Sequence, residues 1–344
     1  MRMGGKGIVR VGGGWLLLWL CLLLTLAGSG VVCSPVRAAG AADDRCVIDA
    51  AARRVEVDKP FTRIISLYGA HTENLFALGL DAEIIGVSPH EVYPAAAQQK
   101  PVFSYHDGPE KFLAARPDLI LVRPMIERGY PQLLRRLRQS GITVVSLQPH
   151  GIDGLYRYWR ELGVLCGRRA AARELTERFR REIVLRRRRS HAVAQRPKVY
   201  FEAIHRRMKT FAPGALALFC LDCAGGENVA ADAVPVRRGS LIAPYGKERI
   251  LAHADEIEIF LAQRGTMNRV TVDTILKEPG FQVIAAVRKK RVYLVDETIV
   301  SRPGPRLLQG IDYLYGVLHP GGSGSGKPNA GMNPATQTGP SARK

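Results

Sequence analysis

The chain has 344 residues, a formal net charge of +19 and 46% apolar residues. That apolar content is enough for real cores, in one large domain or two of ordinary size. So basic a chain could bind nucleic acid or an anionic membrane. A signal for export and the absence of a basic motif interleaved with aromatics argue against nucleic acid.

Lys6 and Arg10 precede an apolar run, Trp15–Leu26. A basic flank before a short apolar core reads as a secretory signal, since a spanning helix needs about 20 residues. Ala39-Gly40-Ala41 offers the cleavage site, so 1–41 is expected to be a signal peptide and the mature chain periplasmic. Cys33 is the alternative, a lipid-attachment cysteine, although Val31 and Val32 are not the small residues such a site prefers. Cleavage would leave Cys46, Cys166, Cys220 and Cys223, far too few for a disulfide scaffold. Cys220 and Cys223 have the spacing of a redox or metal site. They sit in an apolar helical pattern with no second pair or nearby histidine, which predicts buried, inert thiols.

Val47–Val57 reads as a small hairpin. Short apolar strands then alternate with helical patterns. The strands are Ile64–Leu67, Ile84–Val87, Leu119–Val122 and Thr143–Leu147; the helices are Thr72–Leu78, Glu110–Ala115 and Pro131–Ser140. This alternation predicts a parallel sheet covered on both faces, a first α/β lobe over 42–150. Thr72 is placed as the N-cap of its helix, with Glu73 in the first turn. The stretch 151–192 is dominated by helix formers and predicts one long helix, or two collinear ones, of about 50 Å. Its Arg186–Arg189 block reads as a solvated helix end. A second α/β lobe over 193–319 has strands at Lys198–Phe201, Ile257–Leu261 and Val292–Val295. Pro213 opens a helix that closes at Gly225-Gly226, and further helices fit Lys247–His253, Val272–Leu276, Phe281–Val287 and Arg306–Leu318. The stretch 320–344 has almost no apolar content and reads as a disordered tail. The fold class is α/β: two three-layer lobes with mainly parallel sheets, joined by one long helix.

In open α/β sheets ligands bind outside the carboxyl ends of the strands. The residues that follow the strands in the first lobe are Tyr68, His71, His90, Tyr105, His106, Arg123 and His150; in the second they are Glu202, His205, Arg206, Met208, Arg264 and Arg302. Imidazole, phenol, thioether and guanidinium together suit a metal chelate. His and Tyr can ligate iron or cobalt through an open position, and arginine can pair with carboxylates or other anionic oxygens. His71 and His205 are the candidate metal ligands, by way of a bound chelate. Ordinary loop histidines give the competing reading, and His191, His253 and His319 are read as structural. No P-loop, G-x-S-x-G or H-E-x-x-H pattern is present, so no catalytic residue is assigned.

Arg63–Ser88, with Ala224–Asn228 (AGGEN) and Arg291–Asp296 (RVYLVD), resembles the solute-binding proteins of ABC importers for iron–siderophores, haem and cobalamin, the type with a helical backbone. The resemblance runs from about Val47 to Leu318. It implies a monomeric, non-enzymatic carrier without a cofactor. Such a carrier captures a metal chelate between its lobes and delivers it to permease and ATPase subunits. It also implies one exposed acid per lobe that docks on the permease. Glu73 matches the first. The second position holds Phe219, and Asp222 could substitute. The alternatives are a periplasmic metal chelatase built on His205 and Glu202, and a binder of free metal ions.

Overall fold

The computed structural model describes residues 45–89, 91–237 and 239–320. The expected signal peptide, Cys33, His90 and the tail beyond Pro320 lie outside them. The expected hairpin forms from β1 (Cys46–Ile48) and β2 (Arg54–Glu56), with Val47 opposite Val55. β3 (Ile64–Ser66), β4 (Ile84–Val87), β5 (Leu119–Val122) and β6 (Thr143–Ser146) then build an all-parallel sheet in the order β4-β3-β5-β6. Their short aliphatic-rich runs suit a sheet with both faces covered, and every residue of β5 is buried. The covering helices include α1 (Gly69–Ala77), α2 (Pro109–Ala115), α3 (Pro124–Gly129) and α4 (Pro131–Gln139). The last three each begin on proline, whose fixed φ suits a first helical turn and whose missing N–H costs nothing there. The sequence reading had no helix at α3.

The connector differs from expectation. It is two helices, α5 (Gly151–Leu165) and α6 (Arg169–His191), separated at Gly167, whose φ is +66°. They fold back on each other rather than running collinear. Trp159 lies 5.2 Å from Phe179 between ring centroids, and Tyr156 lies 4.4 Å beneath the Arg180 guanidinium. Residues on opposite sides of the turn therefore meet, as in an antiparallel pair. The physical reason is the left-handed residue at Gly167, which ends α5 and reverses the chain. α6 alone, about 35 Å long, carries the chain to the second lobe. Its arginine block is not simply solvated. Arg186 and Arg189 reach Asp312 at 2.6 and 2.8 Å, and Arg187 reaches Asp222 at 3.1 Å.

The second lobe contains β7 (Lys198–Ile204), β8 (Lys209–Phe211), α7 (Leu216–Cys223), β9 (Glu227–Asn228), β10 (Ile242–Pro244), α8 (Lys247–Ala252) and β11 (Ile259–Arg264). α9 (Val272–Leu276), α10 (Ala285–Arg288), β12 (Val292–Asp296), α11 (Glu297–Val300) and α12 (Leu307–Leu318) complete it. The sheet order is β10-β8-β7-β11-β12, with β9 also on β7. β7, β9, β11 and β12 are parallel; β8 and β10 are antiparallel additions at one edge. Along β7 the side chains alternate between two cores, Val199 and Phe201 into one and Tyr200 into the other. The antiparallel edge was not expected, because three-residue strands carry too little periodicity. Pro213 lies in the turn before α7 rather than opening it, and Cys220 and Cys223 are buried free thiols, as expected.

The last helix carries a local test. A Cβ on Gly310 would lie 2.1 Å from the Ile299 carbonyl oxygen, whereas one on Gly316 meets nothing within 4 Å. Gly310→Ala should cost about 2 kcal/mol or more through overpacking. Gly316→Ala should gain about 0.5–1 kcal/mol from helix propensity. Denaturant unfolding of the two variants checks the contrast.

Candidate functional site

β3 and β5 are parallel neighbours, so their carboxyl ends deliver the next residues side by side. Tyr68 follows β3 and Arg123 follows β5. The Arg123 guanidinium lies 4.7 Å above the Tyr68 ring. Both side chains are half-buried, and Arg123 Nε is enclosed without a hydrogen-bond partner. Arg123 also has no carboxylate partner among the described residues. Burial pushes the Tyr68 phenol up, against the pull of Arg123 and Arg302. Tyr68 is therefore a neutral ring and a hydrogen-bond donor in this state, not a phenolate.

A second aromatic group stands in the same lobe. Tyr105 lies 4.6 Å from His106 and 4.7 Å from Tyr130, and Tyr130 lies 5.2 Å from His106, between ring centroids. The Tyr130 hydroxyl is 3.2 Å from His106 Nδ1. His106 is exposed, and Tyr105 and Tyr130 are half-buried. Tyr130 was missed in the sequence because it sits between two proline-initiated helices, not at a strand end.

His71 is not a ligand. It is 0% exposed and both ring nitrogens are engaged, Nδ1 with the Tyr158 hydroxyl at 2.6 Å and Nε2 with the Val122 carbonyl at 2.9 Å. The carbonyl can only accept, so the proton is on Nε2, and the Tyr158 hydroxyl donates to Nδ1. Burial lowers its pKa to about 4, with a smaller push from Arg123 in the same direction. The helix begins at Gly69, three residues before the expected cap, which turns His71 inward. Thr72 is consequently not a cap. Its hydroxyl donates to Ser66 Oγ at 2.8 Å and lies 3.1 Å from Glu91.

Glu73 is not exposed either, which removes it as a docking acid. Its side chain is 2% exposed and is held by Arg302 at 2.8 Å and Arg306 at 3.0 Å. Arg302 is thereby committed to Glu73 rather than to a ligand. Asp222 is exposed on α7, paired with Arg187 and, at 2.9 Å, with Arg196.

In the second lobe, Glu202 and His205 were expected in the cleft. Glu202 is 0% exposed and His205 6%, and both face the apolar cluster around Tyr200 and Phe281. His205 Nδ1 lies 3.0 Å from Glu202, and Nε2 lies 3.4 Å from Glu278, which also pairs with Lys247. β7 continues three residues past its expected end, so Glu202 falls inside the sheet. Burial raises the Glu202 pKa. Burial works to lower that of His205, but the Glu202 bond and the Glu202 and Glu278 charges outweigh it. Arg206 and His150 are exposed, and Met208 and Arg264 are half-buried. Among the described residues, no group of three or more His, Cys, Asp or Glu is placed to hold a metal ion.

The sequence pattern described as "periplasmic binding protein" matches residues 64–298. An uncharacterized ABC transporter substrate-binding lipoprotein of Bacillus subtilis is 24% identical over 277 residues, 79% of this chain and 84% of that one. A vitamin B12-binding protein of Vibrio cholerae is 26% identical over 266 residues, 76% of this chain and 91% of that one. The apo periplasmic heme-binding protein of Roseiflexus sp. RS-1 superposes with a TM-score of 0.62 at 25% identity, over 75% of this chain and 99% of that one.

His71 and His205 predict opposite pH arms. The folded-state pKa of His71 lies below its unfolded value, so its stability is intact above 6.5 and is lost as pH falls toward about 4, about 3 kcal/mol in all. The pKa of His205 is raised, so its contribution is full below 6.5 and fades as pH rises through the folded-state value. Urea unfolding across this range should show a maximum, and His71→Gln should flatten the acid arm. An unchanged acid slope in that variant would mean that His71 is not held neutral by the fold.

Proposed function

Because the chain belongs to the periplasmic binding protein family, we propose that it is the extracytoplasmic substrate-binding component of an ABC importer. Its cargo in this reading is an intact metal chelate: a ferric siderophore, haem or a corrinoid. The observation that carries the cargo is the Tyr68–Arg123 pair. A flat aromatic face and a guanidinium without a carboxylate partner among the described residues sit together at strand ends. That pair offers stacking to a macrocycle or aryl group and a charge-assisted fork to a carboxylate, propionate or catecholate oxygen. Tyr105 and His106 offer a second aromatic surface on the same lobe. The vitamin B12-binding and heme-binding relatives support this cargo class.

The free-ion reading has no support from the donor set, because no metal-holding cluster forms among the described residues. The chelatase reading loses its residues, since Glu202 and His205 are shut in the second lobe's core. In our reading the chain is a monomer that is exported by 1–41 and hands its cargo to permease and ATPase subunits. Attachment through Cys33 is the alternative, and the Bacillus lipoprotein keeps it open. Asp222 is the remaining candidate docking acid, because Glu73 is buried.

The test is absorbance and native mass of the mature chain with haemin, cyanocobalamin and ferrioxamine B. One of the three should bind one-to-one. Arg123→Ala should then weaken it at least about tenfold, the loss of roughly 1.4 kcal/mol of charge-assisted bonding. Binding of bare zinc or manganese with none of the chelates would overturn the reading.

A further inference from the structure

The ion pair that removes Glu73 from the surface joins residues 229 and 233 positions apart. Glu73 belongs to α1 of the first lobe. Arg302 and Arg306 belong to the segment between α11 and α12 of the second. That segment is fastened to its own lobe: the Ser301 hydroxyl donates to Gln263 on β11, and Arg306 Nη2 reaches the Thr298 carbonyl at 3.5 Å. It is equally fastened to the first lobe. Asn74 Nδ2 donates to the Pro303 carbonyl at 2.7 Å, while Asn74 Oδ1 accepts from Trp159 Nε1 on α5 at 2.5 Å. The Arg306 guanidinium also lies 4.7 Å above the Tyr93 ring. At Gly69 the absence of a side chain lets Arg302 close in, since a Cβ there would sit 2.7 Å from Arg302 Nη1. Gly69 is the residue after Tyr68. The contact therefore reaches the backbone that positions the candidate ligand-binding ring.

We infer that Glu73, gripped by Arg302 and Arg306, is a positioning residue that clamps the two lobes and sets the spacing between them. A carboxylate forked between two guanidinium groups fixes direction as well as distance. The pair is almost fully enclosed, with the arginine side chains 14% and 15% exposed. Salt therefore screens it weakly. Opening the lobes would uncover the carboxylate and both guanidinium groups at once, so the closed spacing is held as one unit.

The measurement is the distance between the lobes without any ligand, so it stands whether or not a chelate binds. Spin labels go on Val102→Cys and Met267→Cys, exposed positions of the first and second lobes, in a Cys46→Ser background. Cys166, Cys220 and Cys223 are buried and need no replacement. The unsubstituted clamp should give one narrow distance distribution, unchanged in high salt. Glu73→Gln should give a longer and broader one with unchanged circular dichroism. Arg302→Gln leaves Glu73 paired with Arg306 and so is the variant that folds if Glu73→Gln does not; it should broaden the distribution to a lesser degree. Adding Glu73→Gln to an Arg302→Gln, Arg306→Gln chain should then produce no further broadening. A folded Arg302→Gln chain with the original distribution would overturn the clamp, and so would additive effects in the combined variant.

Discussion

A carboxylate shut away from water between two arginines is the contact on which the arrangement of this molecule turns. A buried charge is costly unless its partners are close and its lone pairs are filled. Glu73 meets that condition only because a segment from the far end of the chain delivers both guanidinium groups. Glu91 adds a fourth charge nearby, its own pKa raised by burial against bonds from Ser88 and Thr72.

The enclosed polar residues of the two lobes divide by what surrounds them. His71, Glu202 and His205 are buried with nearby partners, and they serve the fold. Arg123 has an enclosed nitrogen with no partner, beside a ring whose phenol stays protonated. An unfilled donor in a half-buried place is costly to leave, and beside an aromatic face we read it as a place for an external acceptor. His71 and His205, the two histidines the sequence singled out as metal ligands, serve the fold instead. A neutral imidazole offers one donor and one acceptor, and at His71 the fold fills both.

The basic helix makes a related point. Three arginines of the block at the end of α6 reach across to Asp312 and Asp222. They tie the connector to the helices of the second lobe, so a run that looks like solvated charge is largely internal bracing.

Much of the architecture was legible from local pattern alone. The run Leu119–Val122 reads as a strand buried on both faces, and the proline at 131 stands at a helix start because its φ is already set there. The alternation of such strands with helices determined two α/β lobes, and the motifs at Arg63–Ser88, Ala224–Asn228 and Arg291–Asp296 determined the family resemblance. Tyr68 and Arg123 were legible as strand-end residues, though not as a stacked pair. What only the tertiary structure decided was orientation and partnership. A helix starting three residues early turned His71 and Glu73 inward, a strand three residues longer buried Glu202, and one left-handed glycine folded a presumed rod into an antiparallel pair. The partners of Glu73 lie more than two hundred residues away. Periodicity reports which residues share a face of one element; it cannot report which distant element that face meets.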